Sequence, residues 1–362
     1  MAGVSLKDVA AVAGVSVRTV SNVVNQFPHV APDTRARVEK ALEQLNYRPN
    51  LAARNLRRGR SGLIGLVVPE INSPYFSELA GHLVLAAEER SWTVLVDQTG
   101  GDPARERGFL EGAAAGFVDG LVFSPWGMGA ADLRRSAEDI PLVLLGERAN
   151  DGLADHIAID NVAAAREATD HLIALGRRRV AALGLQPHLT NETARLRLEG
   201  YRASLSAAGH VLDGRLEVEV AALHRADGAA AMRALLALPE PPDAVFCFND
   251  QLALGAMRAA HDAGVDVPGE IAVVGFDDIE DGRYSRPSLT TISPDKWAIA
   301  VRALELLGER LDGDRSDSAR DVVVPHSLII RESSGQPGSG GSRPRRPAGF
   351  LPPGRSRTGP GG

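Results

Sequence analysis

The sequence predicts an all-α helix-turn-helix head followed by an α/β body of two doubly wound parallel-sheet lobes. Three observations lead there. Ser5 to Asn25 reads as two short helices around a glycine turn. From Leu63 onward, short continuous apolar runs alternate with amphipathic helical stretches, the pattern of parallel strands covered on both faces. The charge is also divided: residues 1–62 hold ten Lys and Arg against four Asp and Glu, although the whole 362-residue chain carries a formal net charge of −6. A basic head on an acidic body is the electrostatic footprint of a nucleic-acid reader with a second task elsewhere.

In the head, Ser5 followed by Asp8 is a capping-box variant and starts a helix at Leu6. Leu6, Val9, Ala10 and Ala13 recur at helical spacing, and Gly14 ends the helix because it enters the left-handed region without a Cβ clash. Ser16 caps a second helix whose inward face is Val17, Val20, Val23 and Val24. Its polar face is Arg18, Ser21, Asn22 and Asn25, with no acid among them, which suits a helix laid in the DNA major groove. Pro32 and Asp33 open a third helix with Val38, Ala41, Leu42 and Leu45 on one side.

On these residues the chain resembles the lactose-repressor family of bacterial transcription regulators. The likeness is carried by Leu6-Lys7-Asp8-Val9-Ala10, Ala13-Gly14-Val15-Ser16, Thr19-Val20-Ser21, Val24-Asn25 and Asn46-Tyr47-Arg48-Pro49-Asn50, and it continues to about Glu332. It implies a DNA-binding domain over 1–46 and a hinge over 47–61, whose short helix forms when two copies meet in the minor groove. Leu56 stands at the family's wedge position, where paired leucines pry open a base step. The DNA-contacting candidates are Ser16, Val17, Arg18, Ser21, Asn22, Asn25, His29, Asn50, Ala53 and Leu56. The implied partner is a palindromic operator in double-stranded DNA, bound by a homodimer.

Strands are expected at Leu63–Val68, Thr93–Asp97, Leu121–Phe123, Leu142–Leu145 and Ile157–Ile159. A second series is expected at Val180–Leu183, Leu216–Val220, Ala244–Phe248 and Ile271–Phe276. Helical stretches fall at Tyr75–Arg90, Asn161–Leu175, Arg195–Ala208, Gly228–Ala237 and Asp250–Gly264. The body then spans 62–332, each lobe turning the carboxyl ends of its strands to a cleft. Resemblance to the family, built like periplasmic binding proteins, places crossovers near Asp160, Thr290 and Asp321. Lobe one is then about 62–160 with 291–321, and lobe two about 161–290 with 322–332. Residues 333–362, almost all Gly, Pro, Ser and Arg, are expected to form a disordered tail without an assembly heptad.

The body shows no GxxxxGK loop, GxSxG elbow, HExxH helix or strand-linked GxGxxG, so binding without catalysis is expected, with no cofactor and no metal. Gly127-Met128-Gly129 reads as a loop, and neither Asp277-Asp278 nor His156 with Asp160 reads as a catalytic pair. Cys247 is the single cysteine, which excludes a disulfide framework. No apolar run is long enough for a membrane span and no signal peptide opens the chain, so a cytoplasmic protein is expected. The resemblance to the family implies that the candidate effector contacts are Ser73, Tyr75, Phe76, Arg148, Asp160, Arg197, Asn249 and Asp277. A guanidinium, an amide and a carboxylate beside aromatic rings suit a polyhydroxyl effector, a sugar. Arg195 is expected to face solvent or a partner. One departure from the family stands out: Leu223, followed by His224, occupies the place of an expected aromatic. The alternative is a sugar-binding or sugar-modifying protein with an incidental head, which would give no specific operator shift.

Overall fold

The first helix begins where its cap dictates. In the computed structural model, the Asp8 carboxylate accepts from the Ser5 backbone N–H at 2.8 Å, while Ser5 Oγ accepts from Asp8 N–H, so both halves of the box are made. The structure describes residues 4–24, 27–47, 60–114, 116–129, 133, 140–146, 152, 154–187, 192–313 and 318–335. Helix α1 is Leu6–Ala13, closed by Gly14 at φ 63°. Helix α2 is Val17–Val24, with Thr19 N–H donating to Ser16 Oγ at 3.1 Å, and α3 is Pro32–Gln44. Eight-residue helices do not stand alone in water. Here Val9, Ala10, Ala13, Val20, Val23, Val38 and Ala41 bury one another, with Leu6, Val24, Leu42, Leu45 and Tyr47 around them. Val17 departs from expectation: at the first position of α2 it lies exposed instead of inward.

The body holds two sheets. Strands β1 (Leu63–Val68), β2 (Thr93–Gln98), β3 (Gly120–Phe123), β4 (Leu142–Leu145), β5 (Asp155–Ile159) and β11 (Asp321–Val324) form the first, all in parallel pairs. Strands β6 (Val180–Leu185), β7 (Glu217–Glu219), β8 (Ala244–Cys247), β9 (Ala272–Phe276), β10 (Thr290–Pro294) and β12 (His326–Ile329) form the second. The orders are β11-β5-β4-β3-β1-β2 and β12-β10-β9-β8-β6-β7, one topology used twice. The last strand alone differs, because β12 runs antiparallel to β10. Helices α4 (Pro74–Glu88), α5 (Pro103–Ala114) and α11 (Lys296–Leu311) belong to the first unit. Helices α6 (Asn161–Ala174), α7 (Thr193–Ala207), α8 (Arg225–Leu236), α9 (Asp250–Asp262) and α10 (Glu280–Tyr284) belong to the second.

The chain passes from one unit to the other after Ile159, Pro294 and Val324. The second and third passages come later than the expected Thr290 and Asp321. Strand β10 is paired to β9 and β12, and β11 is paired to β5, so each strand finishes its sheet before the chain leaves. Apolar runs mark strands, but pairing decides which sheet owns them. The expected tail boundary also shifts. Ser333 Oγ donates to Val273 O at 2.6 Å, and Ser334 Oγ lies 2.8 Å from both Thr290 Oγ1 and His171 Nε2, so both serines belong to the body. The remaining tail lies outside the described residues.

Two glycines show how tightly the second unit is packed. A Cβ at Gly228 would overlap the Leu252 backbone, and one at Gly255 would overlap Arg225 O. Helices α8 and α9 therefore meet at backbone contact, which offsets the cost of about 1 kcal/mol per helical glycine. Among the described residues no helix is long and apolar enough to cross a membrane.

Candidate DNA-reading and effector sites

Ser16, just before α2, and Val17 and Arg18 at its start are exposed, with Ser21 and Asn22 half-buried beyond them. Val20 and Val23, by contrast, point into the head's core. Asn25 lies outside the described residues. His29 is exposed and packs edge-to-face on Phe27, ring centroids 5.7 Å apart. The Phe27 segment is tied down by its N–H to Asn22 O at 2.9 Å and by Arg35 Nη2 donating to Phe27 O at 2.7 Å. The hinge candidates Asn50, Ala53 and Leu56, and the effector candidate Arg148, also lie outside the described residues.

In the second unit the strand ends gather the expected polar groups. Arg197, on α7, is buried. Its Nε donates to Asn161 Oδ1 at 2.7 Å, its Nη1 donates to Phe248 O, and its guanidinium carbon lies 3.4 Å from the centroid of the Phe276 ring. A cation flat on an aromatic face and held by two acceptors is fixed in direction before any ligand arrives. Asp160 caps α6, its carboxylate accepting from Ala163 N–H at 2.9 Å. Asn249 caps α9 through Leu252 N–H at 2.8 Å, and its Nδ2 donates to Leu223 O at 2.9 Å. Its amide thus welds the end of β8 to the residue that replaces the expected aromatic. Leu223 itself packs against the unit's core.

Asp277, directly after β9, sits half-buried at φ 112°, a region that L residues seldom enter, and its N–H reaches Ile292 O at 2.8 Å. Strain of this kind costs about 1–3 kcal/mol and persists only where surroundings impose it. Its neighbour Asp278 is buried and accepts from Arg331 at 2.6 Å, Arg283 at 2.9 Å and Ser293 Oγ at 3.1 Å. Burial pushes the Asp278 carboxyl up, but the two guanidinium groups outweigh it and hold it below the usual carboxylate range. Asp250 behaves oppositely. It is wholly buried and is raised well above the usual range, first by burial and then by the charge of Asp277, despite bonds from Thr291 Oγ1 at 2.6 Å and Ile279 N–H at 2.9 Å.

In the first unit Ser73 precedes α4 with its side chain half-buried. Tyr75 is half-buried and Phe76 buried, their rings 5.2 Å apart. Lys296, at the start of α11, lies 2.7 Å from Glu78 and 6.0 Å from the Tyr75 ring. The reading of the sequence missed Lys296, Asn161, Phe276 and Trp126. Asn161 and Phe276 were legible only as a strand-end neighbour and an apolar strand residue, and what marks them is their contact with Arg197. Arg195, two places from Arg197, is exposed and engaged by Glu192 and by Glu199 at 3.1 Å. His156 and Asp160 are each engaged elsewhere: His156 Nδ1 is 3.1 Å from Asp321, and its other nitrogen meets Gly146 O.

Comparison with known proteins gives the family. Residues 5–50 match the model of bacterial regulatory proteins of the lacI family, and residues 169–334 match a periplasmic binding protein-like domain. The "HTH-type transcriptional repressor PurR" of Haemophilus influenzae (strain PittEE) is 34% identical over 342 residues, covering 91% of this chain and 98% of that protein. The "Ribose operon repressor" of Escherichia coli (strain K12) is 35% identical, covering 89% of this chain and 97% of that one. The solved lac repressor dimer bound to operator and the anti-inducer ONPF superposes with a TM-score of 0.80 at 29% identity, covering 92% of this chain and 99% of that one. With head, body and order all matched, the chain belongs to the lacI family of bacterial regulatory proteins, as a ligand-responsive, DNA-binding transcriptional repressor.

Proposed function

We propose that the protein is a cytoplasmic homodimer that represses sugar or related catabolic genes from a palindromic operator and answers to a small-molecule effector, a sugar. It acts by binding and not by catalysis: the strand-end groups hold and orient the effector. Arg18 reads a base, Ser16, Val17, Ser21, Asn22, Asn25 and His29 complete the head's contacts, and the hinge adds Asn50, Ala53 and Leu56. The effector is taken up through Arg197, Asn249, Asp277 and Asp160, with Ser73, Tyr75, Phe76 and Arg148 contributing.

The observation that carries the effector reading is Arg197, buried, doubly bonded and laid on Phe276. A guanidinium fixed on the ring of Phe276, the residue before the backbone-strained Asp277, supports a site with both donors and an acceptor, which hydroxyl pairs require. The test is selection of operator from randomised DNA, followed by gel shifts with and without sugars that raise the protein's melting temperature. A specific palindrome and a sugar-dependent change in its affinity are expected. A protein that binds sugar but selects no sequence supports the sugar-binding alternative instead.

A further inference from the structure

Strands β1 and β3 pair directly in the first sheet, and three aromatic rings meet beyond their carboxyl ends. Phe76 contacts Tyr75 on one side and Trp126 on the other, the latter pair 6.1 Å between centroids at 64°. Trp126 stands three residues after β3, in the segment Ser124-Pro125-Trp126-Gly127-Met128. That segment is held from behind with unusual firmness. Glu106, wholly buried on α5, accepts from the backbone N–H groups of Trp126 at 2.7 Å, Gly127 at 3.0 Å and Met128 at 2.6 Å. A carboxylate without such donors would not be buried at all. Gly127 has no room for a Cβ, which would overlap Gly101 O and the Pro103 ring. The loop is therefore fixed on two sides.

Closing the core does not explain this effort. Phe123 and Met128 already fill the interior beneath the loop and are fully buried, whereas Trp126 stays half-buried. What the loop fixes is an indole beside the Tyr75–Phe76 pair, at the end of the sheet where doubly wound folds take their ligands. We propose that Trp126 is a specificity-determining residue for the effector, its indole face taking the C–H face of a sugar ring, and that Glu106 is the residue that positions it. This rests on the sugar-effector reading above. A flat indole favours a cyclic sugar with an apolar C–H face over an open-chain or strongly anionic one.

The experiment uses the full chain, with D-ribose, D-glucose, D-galactose and cellobiose as probes. The Trp92→Phe/Trp297→Phe double variant leaves Trp126 as the one remaining indole of three. At least one probe should raise the melting temperature and shift the emission of Trp126. For that probe Trp126→Ala should weaken binding by about tenfold or more, and Trp126→Phe, which keeps an aromatic face, by about threefold. Glu106→Gln should weaken binding and broaden the Trp126 emission with the indole still present, a change that a merely missing contact would not give. If no probe stabilises the parent protein, the sugar-effector reading falls and this proposal with it. If a probe stabilises the parent but binds Trp126→Ala, or Trp126→Phe should the alanine variant not fold, with parental affinity and leaves Trp126 emission unmoved, the role of Trp126 alone is overturned.

Discussion

The two sheets share one strand order, yet they use their buried carboxylates differently. In the first unit two carboxylates are wholly buried: Glu106, whose bonds go to the backbone of the Trp126 loop, and Asp155, at the amino end of β5. Arg310 donates to it at 2.8 and 2.9 Å, and Arg320 donates to it from side chain and backbone at 2.8 and 2.9 Å. The carboxyl ends of that sheet carry aromatic rings. In the second unit the carboxylates Asp250, Asp277 and Asp278 all follow the carboxyl ends of β8 and β9, beside Arg197. A common topology therefore does not fix where polar groups go. The first unit uses Asp155 to clamp β11 and α11 to β5 and Glu106 to hold a loop, so both carboxylates serve the framework. The second unit gathers three carboxylates just beyond the ends of two neighbouring strands.

The largest test of that contrast is Asp155→Ala. It leaves two guanidinium groups facing a vacated buried position, and removing one partner of a buried ion network costs about 3–5 kcal/mol. Urea unfolding should register that loss with little change in effector affinity. The sign with pH is also set. Burial raises the Asp155 carboxyl, but the arginine bonds outweigh burial and hold it far below the usual range. Its contribution is then complete above the ordinary carboxylate pKa and is lost as pH falls toward the depressed folded value. The variant's acid limb should be flatter than the parent's.

At the other end of the contrast, Arg197→Met should leave the first unit untouched and abolish the fixed guanidinium. A charged hydrogen bond is worth about 1.5–3 kcal/mol, so calorimetry should show effector affinity falling by that amount or more. Normal effector binding would refute the assignment. In the head, Arg18→Ala should cost roughly 1–3 kcal/mol of operator affinity and relax preference at one position per half-site. A randomised-operator selection that returns the parental sequence would reject it. Salt dependence should persist, because the other basic residues still neutralise phosphates.

Asp250 offers a subtler contrast with Asp155, since its carboxyl is displaced in the opposite direction. A group raised in the fold gives stability that is complete below its unfolded pKa and is lost as pH climbs through the folded value. Asp250→Asn keeps an acceptor for Ile279 N–H and supplies a donor to Thr291 Oγ1 without a charge. Parent and variant should match in acid, and the variant should gain on the parent by at most about 1.4 kcal/mol per pH unit above it. A difference independent of pH would place the titration elsewhere.

Much of this was legible because it is local. Ser5, Asp8 and Gly14 announce a helix through caps that need no tertiary partner, and β1 and β4 fall on the expected residues because continuous apolar runs of that length have one use in a parallel sheet. What was not legible depends on distant pairing. Nothing near Thr290 says that its strand joins β9, and nothing near Asp155 names Arg310 or Arg320, about 155 and 165 residues away. Likewise Arg197 was identified by likeness, but its seat on Phe276 required three elements to converge.

The smallest expected effect comes from the arginine beside it. Arg195 and Arg197 lie two apart on α7, so they face different sides of the helix. Arg197 is turned into the unit, whereas Arg195 is mostly in water, meeting Glu192 one turn back and Glu199 one turn on at 3.1 Å. Such i,i+3 and i,i+4 pairs gain Coulomb energy in high dielectric and lose it to side-chain entropy and salt, which leaves about 0.3–0.5 kcal/mol. Arg195→Ala should therefore lower stability by no more than about that amount, less as salt is added, and leave effector affinity at its parental value. Since the same helix carries both arginines, a loss of effector binding on this substitution equal to that of Arg197→Met would mean the helix, and not the guanidinium seated on Phe276, is what the effector senses.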